Sequence, residues 1–436
     1  MRMKLKAGIA KVNITPFVGV ELGGYGARIN PSQGIYDDLF SKALILDDGQ
    51  KRIAMITNDL LAFDHEFIVE VGELIENQVG IDKENIMITV SHTHSGPVTS
   101  FGLQSTGRKD EDYVQILQKK IVGAVYMASR NTKEAKVGAG KGEVRDVSFN
   151  RRRYKKDIDP ELGIIRVDDI DGNPMVFLTN YACHGVILGP KNLFISADYP
   201  GAMQKFIEKA KGGMAMFTQG ACGDIDPLVN CYAWGEGTFK NTEQMGTILG
   251  AEAIKIGEQI KTTSQARLEA KSKMIKLPTE KLPSLKEAQE MVDKYKRKLN
   301  KLNKKSYLID RQTMRMNLDW AQRLVNIVKK DRDKNGIMAE IQILSIDETV
   351  LVGISGEVFV EIGLDIKKES GFENTFIISY ANGCVGYIPT EEAFREGGYE
   401  PKEAFKWYGY PFPFVPNVEE KIKKTVLDLM KTLKQE

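Results

Sequence analysis

Two of the chain's four histidines stand one residue apart in the motif Ser91-His-Thr-His-Ser-Gly-Pro97. The residues before it, Ile86–Val90, are mostly apolar and β-branched, a composition typical of a buried strand. Because side chains alternate between the faces of a strand, His92 and His94 are expected to point the same way where it ends. Two converging imidazoles fit a metal site, zinc in particular. Two hydrogen-bonded surface histidines at a strand end are the other interpretation, and the pair alone does not decide between them.

Three further side chains that can bind a metal stand at strand ends, each beside a glycine: His184, Glu357 and Tyr387. If these strand ends meet the one that carries His92, two imidazoles, a carboxylate and a phenolate converge on one centre. Such a set suits zinc and leaves room for a water molecule, whose pKa the ion lowers towards about 7. Taken singly, Glu357 is also explained as a carboxylate at a helix N-terminus, and Tyr387 as a tyrosine of the core or of a cleft.

The elements that must position these side chains form a pattern that occurs three times: a β-hairpin, an amphipathic helix and a closing strand. An Asp-Gly pair at 48–49, between alternating apolar runs, is a strong hairpin signal. Sequence identity between the units is negligible, so the repeat is one of pattern only. The predicted elements are strands 41–46 and 53–57, helix 64–77 and strand 86–90; strands 164–167 and 175–183, helix 198–211 and strand 214–218; and strands 338–345 and 350–354, helix 358–368 and strand 375–380.

Repeated units of this kind stack into a shared core, so the sequence predicts one large α/β domain over residues 1–436, with mixed β-sheets flanked by helices. An insertion at about 283–330 predicts two charged helices, 285–302 and 310–330, joined by a Lys-rich turn. Acidic residues are interspersed in it, which favours a solvated helical hairpin over a basic binding arm. Residues 399–414 are dense in aromatic side chains and proline, and they either line an apolar groove or pack over the core.

Composition narrows the classes of function. The 436 residues include 61 basic and 59 acidic ones, a net charge of +2 that gives no sign of nucleic-acid binding. No apolar run approaches the roughly 18 residues of a transmembrane helix. The N-terminal residues lack the apolar run and cleavage site of a signal peptide, and four cysteines make no disulfide framework. These features predict a cytoplasmic protein; its oligomeric state is not readable.

Short motifs spread over most of the chain resemble those of one enzyme family. They are Asn13-Ile-Thr-Pro16, Ser91–Pro97, Asn180-Tyr-Ala-Cys-His184, Gly223-Asp-Ile-Asp-Pro227, Ser355-Gly-Glu357, Ala381-Asn382 with Gly386-Tyr387, Glu391-Glu392, and Tyr399-Glu400. With these motifs in this order, the chain resembles the neutral/alkaline non-lysosomal ceramidases, zinc-dependent amidohydrolases that cleave the N-acyl bond of ceramide.

The resemblance assigns roles to individual positions. It implies zinc ligands at His92, His184, Glu357 and Tyr387. It also implies that three further side chains line the active site and hold the substrate: His94, Arg151 and Tyr399. An arginine and a histidine beside the metal can polarise the amide carbonyl and stabilise the oxyanion, and one group off the metal can protonate the leaving amine. Without the resemblance, Arg151-Arg152-Arg153 is equally explained as a basic surface run.

Two departures from the family pattern bear on the function. Asp226 stands where the family motif Gly-Asp-Val-Ser-Pro has serine, so a serine nucleophile is ruled out there and water activated by zinc is expected to attack. Asp224 and Asp226 then belong to a turn that orients ligands or caps a helix. The signal peptide and C-terminal β-sandwich of secreted members are not found, which leaves the acyl chain and head group open. We expect a zinc-dependent hydrolase of a small, ceramide-like N-acyl substrate, for which a lipid is one candidate. The alternatives are a zinc hydrolase of a soluble amide or ester, or a metal-binding homologue without activity.

Overall fold

The fold is described by a computed structural model that covers residues 4–100, 107–154, 157–302, 308–330 and 336–435. Within these residues the strands are β1 (Lys6–Asn13), β2 (Gly34–Ile35), β3 (Phe40–Asp47), β4 (Arg52–Asn58), β5 (Ile86–Val90), β6 (Lys133–Glu143), β7 (Ser148–Asn150), β8 (Glu161–Asp169), β9 (Pro174–Tyr181), β10 (Phe194–Ile195), β11 (Met214–Gln219), β12 (Ile225–Pro227), β13 (Leu268–Leu277), β14 (Ile337–Ile346), β15 (Thr349–Ile354), β16 (Glu357–Val358), β17 (Asn374–Ser379) and β18 (Tyr387–Ile388).

The helices complete the order of elements. Among the described residues, no helix combines the length and the apolarity needed to cross a bilayer. The helices are α1 (His65–Val79), α2 (Glu111–Arg130), α3 (Asp198–Lys211), α4 (Val229–Tyr232), α5 (Phe239–Gln259), α6 (Leu285–Lys301), α7 (Leu308–Lys329), α8 (Val360–Glu369), α9 (Glu391–Glu396), α10 (Tyr399–Lys402) and α11 (Val418–Gln435).

The three predicted units are present: β3-β4-α1-β5, β8-β9-α3-β11 and β14-β15-α8-β17. In each unit the first two strands are antiparallel and the second and third are parallel. The carboxyl ends of the two parallel strands therefore meet at one edge of each sheet. Each unit is preceded by a strand antiparallel to its hairpin, namely β1, β6 or β13. Of these only β1 was predicted, since β6 (KEAKVGAGKGE) and β13 (LEAKSKMIKL) are rich in charge or glycine.

The units are distributed over two sheets. The first two share an eight-stranded sheet of order β11-β9-β8-β6-β1-β3-β4-β5, joined where β1 pairs with β6. The third forms a four-stranded sheet of order β13-β14-β15-β17. The fold class, mixed sheets flanked by helices, is thereby confirmed.

The core lies in the spaces between four layers. Side chains on one face of the larger sheet, such as Ile45 and Ile56, pack against α1, α2, α3 and α5. Those on the other face, such as Leu44 and Met55, pack against the smaller sheet. The outer face of the smaller sheet is covered by α8 and α11. This face-to-face packing of the two sheets was not foreseen from the sequence.

The insertion is a helical hairpin, as predicted, built from α6 and α7; its turn, residues 303–307, lies outside the described part of the chain. The hairpin has its own apolar cluster, in which Val292 and Trp320 pack with Phe412. The indole nitrogen of Trp320 donates a hydrogen bond to the Tyr410 carbonyl, 2.9 Å away. The aromatic segment 399–414 therefore packs between the hairpin and the rest of the chain.

Candidate metal centre and active site

The segments that carry the predicted site residues are brought together by two backbone pairings. Thr93 forms a parallel bridge with Gly185, which brings the residues on either side of Thr93 next to His184. Glu357 pairs in register with Tyr387, in the parallel strands β16 and β18. Segments that follow strands of all three units therefore contribute to one site, as the sequence pattern predicted.

Three imidazoles and one carboxylate converge in the protein interior. Nε2 of His184 lies 3.0 Å from Oε2 of Glu357, and Nε2 of His92 lies 3.6 Å from the same oxygen. Nε2 of His94 lies 3.2 Å from Nε2 of His92. One ring nitrogen from each of the three histidines lies within 4.8 Å of those of the other two. These side chains form a buried cluster that can bind a metal ion.

The route by which His92 and His94 converge differs from the predicted one. Strand β5 ends at Val90, and His92 has a φ of 59°, so a left-handed turn rather than strand alternation aims the two rings. Gly24 makes room for this arrangement, because a Cβ at that position would lie 2.4 Å from the His94 ring. The Tyr25 ring contacts the same imidazole edge-on, at 4.9 Å between centroids. Sequence reasoning missed both residues, although the Gly-Gly-Tyr-Gly run that contains them was visible.

Backbone carbonyls fix two of the imidazoles. Nδ1 of His92 lies 2.7 Å from the Leu61 carbonyl, and Nδ1 of His184 lies 2.7 Å from the Cys222 carbonyl. Because a carbonyl only accepts hydrogen bonds, each Nδ1 carries a proton, and Nε2 is the ring nitrogen that faces the cluster. Two buried atoms of the cluster itself, Oε1 of Glu357 and Nδ1 of His94, have no hydrogen-bond partner among the described residues.

Tyr380 is a site residue that sequence reasoning missed. Its ring stacks on the His92 imidazole, with 4.1 Å between centroids and 14° between planes. Its hydroxyl donates a hydrogen bond to Oε2 of Glu357 at 3.2 Å. No sequence signal marked it, because it stands at the end of an apolar strand and reads as one more core residue.

Arg151 joins the cluster to its surroundings rather than belonging to a basic surface run. Its guanidinium donates to the Tyr387 hydroxyl at 3.1 Å and to the Gly223 carbonyl at 2.9 Å. The Tyr387 ring lies beside that of His184, with 6.4 Å between centroids, and contacts Tyr399 edge-on at 5.9 Å. Tyr399 is 45% exposed and forms part of the rim of the site. All seven residues singled out from the sequence therefore lie in one neighbourhood.

The two aspartates of the Gly-Asp-Ile-Asp motif have separate tasks. Asp224 accepts a hydrogen bond from the backbone nitrogen of Val360, at the start of α8, at 2.9 Å. It accepts another from Asn150 at 2.6 Å. Asp226 accepts one from Arg151 at 3.1 Å and lies 4.0 Å from Nδ1 of His184. Asp224 therefore caps helix α8, which is one of the two predicted alternatives, and Asp226 lies beside Arg151 and His184.

Burial sets the protonation of the cluster. Desolvation lowers the pKa of His92 to about 4 and that of His94 well below its usual range, so both rings are neutral at pH 7 with lone pairs free for a metal. Burial disfavours the charged form of Glu357, but His92 and His184 outweigh it and hold its pKa below its ordinary value. Burial also opposes protonation of His184, yet Cys222 and Glu357 raise the pKa of that imidazole. A metal ion therefore competes with a proton at His184.

Comparison with known proteins gives concordant matches. The family described as "Neutral/alkaline non-lysosomal ceramidase, N-terminal" matches residues 5–245. The neutral ceramidase of Pseudomonas aeruginosa is 22% identical over 296 residues, which cover 62% of this chain and 44% of that protein. Neutral ceramidase B of Dictyostelium discoideum is 25% identical over 239 residues, 48% of this chain and 33% of that protein. The neutral ceramidase of Mycobacterium tuberculosis is 23% identical over an alignment of 455 residues, gaps included, which covers 86% of this chain and 70% of that protein.

A solved structure has the same fold. The crystal structure of neutral ceramidase from Pseudomonas aeruginosa superposes with a TM-score of 0.77 at 20% sequence identity, over 100% of this chain and 75% of that one. The chain spans less than half the length of the Pseudomonas and Dictyostelium relatives that it matches in sequence. The family resemblance inferred from the motifs is confirmed by these matches.

Proposed function

Because this chain belongs to the neutral/alkaline non-lysosomal ceramidase family, we propose that it is a zinc-dependent hydrolase that cleaves the N-acyl amide bond of a ceramide-like lipid. The observation that carries the proposal is the buried convergence of His92, His184 and Glu357, whose nearest nitrogen–oxygen distances are 3.0 and 3.6 Å. Nothing in the packing of a core calls for such a cluster, since buried polar groups cost free energy unless they are paired.

The donor set fits zinc. Two neutral imidazoles and a carboxylate are a common ligand combination for this ion, and Tyr387 is the fourth ligand that the family resemblance suggests. Oε1 of Glu357, buried and without a hydrogen bond among the described residues, is an orphan acceptor that a cation would satisfy. When bound, zinc supplies the Lewis acidity that makes water a nucleophile near neutral pH.

The side chains around this centre have distinct tasks in the proposed reaction. His94 is neutral and its Nδ1 is free among the described residues, so it can accept a proton and deliver it to the nitrogen of the leaving amine. Arg151 donates to the Tyr387 hydroxyl and holds that ring in place beside His184. Tyr399 stands at the rim, where it can contact the incoming substrate. The products are a fatty-acid carboxylate and an amine.

Metal analysis and an activity assay on a short-chain N-acyl sphingosine test the proposal. We expect bound zinc, release of the fatty acid, and loss of this release on chelation. His92→Ala should lower the rate by at least about a thousandfold, since it removes a group on which the whole centre depends. His65→Ala is the matched control, because His65 is the remaining histidine and begins helix α1 outside the cluster. It should keep wild-type activity.

Other results would favour the other functions. Bound metal with no turnover of any amide or ester indicates a metal-binding homologue. Turnover of soluble amides or esters, but not of N-acyl sphingosine, indicates a hydrolase of another substrate class. A purified protein that carries no metal and binds none contradicts the proposed function and both of these alternatives.

A further inference from the structure

Two buried carboxylates flank the guanidinium of Arg151. Asp226 accepts from NH1 at 3.1 Å, and Oε1 of Glu400 lies 3.1 Å from both Nε and NH2. The carboxylates are shielded from solvent, with side-chain exposures of 4% for Asp226 and 6% for Glu400. Glu400 also accepts from Arg152 at 2.6 Å. The group thus contains two positive and two negative charges.

Arg151 has little capacity left for an anion. Nε donates a hydrogen bond to Glu400, and NH1 donates one to Asp226. The Gly223 carbonyl and the Tyr387 hydroxyl take further hydrogen bonds from NH2. A carboxylate ligand normally binds an arginine through two parallel hydrogen bonds, and here the donors for that arrangement are already used. In water-poor surroundings, the two fixed carboxylates also repel a third.

We infer that Asp226, together with Glu400, is a positioning residue that cancels the charge of Arg151, so that the site accepts an uncharged amide and does not retain the anionic carboxylate product. This inference rests on the proposed amide hydrolysis, whose substrate is neutral at the reacting bond and whose acyl product is an anion. Asp226 acts through Arg151 and need not touch the substrate.

Asp226→Asn tests the inference, because it keeps an oxygen that can accept from Arg151 while removing the charge. Octanoate serves as the product-like anion, and its binding is measured by titration calorimetry on chelated and zinc-loaded protein. We expect octanoate to bind about tenfold more tightly to the variant, because removal of one negative charge beside Arg151 lessens the repulsion of an anion in water-poor surroundings. The gain should shrink as salt rises. Any change in the KM for an uncharged N-octanoyl amide should be smaller than the change in the affinity for octanoate.

Asp168→Asn is the matched control. Asp168 is as buried as Asp226 and pairs with Arg166 at 2.8 Å, on strand β8. Loss of a buried carboxylate in general would affect both variants, whereas only Asp226→Asn should tighten octanoate binding. Glu400→Gln provides a second variant on the other side of Arg151, should Asp226→Asn fold poorly.

The outcomes separate the inference from the proposed function. If the wild type hydrolyses the amide but octanoate binds the folded Asp226→Asn and Glu400→Gln variants no more tightly, the inference is wrong and the function stands. If the wild type hydrolyses no amide, the proposed function fails, whatever the octanoate affinities are. Tighter octanoate binding in Asp168→Asn as well would overturn the specific role of Asp226.

Discussion

At the scale of single residues, the candidate ligands are held by neighbours that the sequence did not mark. His92 and His184 were predicted from their residue type and from their places at strand ends. The partners that orient the candidate ligands could not be predicted. Backbone carbonyls of Leu61 and Cys222 hold the two imidazoles, and the hydroxyl of Tyr380 donates a hydrogen bond to Glu357. Any residue supplies a backbone carbonyl, so such contacts cannot be recognised from a sequence.

Tyr380→Phe should weaken zinc binding. The change removes the hydrogen bond to Glu357 and keeps the ring that stacks on His92. Loss of a partner that orients a ligand typically costs between about tenfold and a hundredfold in metal affinity. The affinity is measured by competition with a chromogenic chelator. Tyr181→Phe is the control, since that buried hydroxyl donates to the Val144 carbonyl instead. Unchanged zinc affinity in Tyr380→Phe would contradict the role of Tyr380 in orienting Glu357.

Asp198→Asn should alter how stability depends on pH. Burial raises the pKa of Asp198 to about 6 from an ordinary value near 3.8. Between these values the folded protein keeps a proton that the unfolded chain releases, so wild-type stability falls as pH rises through this window. The variant lacks that fall, and between pH 4 and 7 its stability relative to wild type should rise by at most about 3 kcal/mol.

Urea unfolding at the two pH values measures this difference. The amide also gives up one of the acceptors that serve the backbone nitrogens of Leu188 and Tyr199. That loss affects both pH values alike and cancels in the comparison. Parallel pH profiles for the two proteins would show that Asp198 does not titrate in this range.

At the scale of elements, periodicity predicted the strands of the three units well, but it missed one long helix and the left-handed turn at His92. The strand Ile86–Val90 was predicted to the residue, and the other strands of the three units to within about three residues. Helix α2, the twenty residues Glu111–Arg130, was not assigned, although its buried face repeats at helical spacing. The left-handed turn at His92 was also beyond prediction, because tertiary contacts with the Gly24 loop select it over an extended strand.

Asp224→Ala should destabilise the protein through helix α8. This carboxylate caps the helix from a distant loop and also accepts from Asn150, and burial raises its pKa to about 6. The variant leaves two donors buried without their partner, a loss of about 2 to 4 kcal/mol in unfolding free energy. Ser284→Ala, which removes the cap of the exposed helix α6, should cost only about 1 kcal/mol. Equal losses in urea unfolding would contradict this account.

At the scale of the whole molecule, the arrangement of the two sheets could not be predicted from the sequence. Strands buried on both faces, such as β4 and β15, read as continuous apolar runs that do not say which layer covers which face. One apolar cluster contains side chains of both sheets, including Leu44 and Leu351. The organisation as one domain stays a prediction, which this shared cluster favours.

Calorimetry tests whether the chain unfolds as one domain and whether a bound metal stabilises it. We expect a single unfolding transition, because the sheets share a core and should lose it together. We also expect chelation to lower its midpoint by several degrees without splitting it, since a ligand that binds only the folded state stabilises that state. Two transitions, only one of them sensitive to chelation, would show that the sheets unfold independently.

The candidate ligands are far apart in the order of synthesis. His92 follows a strand of the first unit, and Glu357 begins β16 after the hairpin of the third, with more than half of the chain between them. A ribosome therefore releases the first imidazole long before the carboxylate exists. The nascent protein cannot acquire the complete cluster early, and the proposed activity requires that synthesis has passed Glu357.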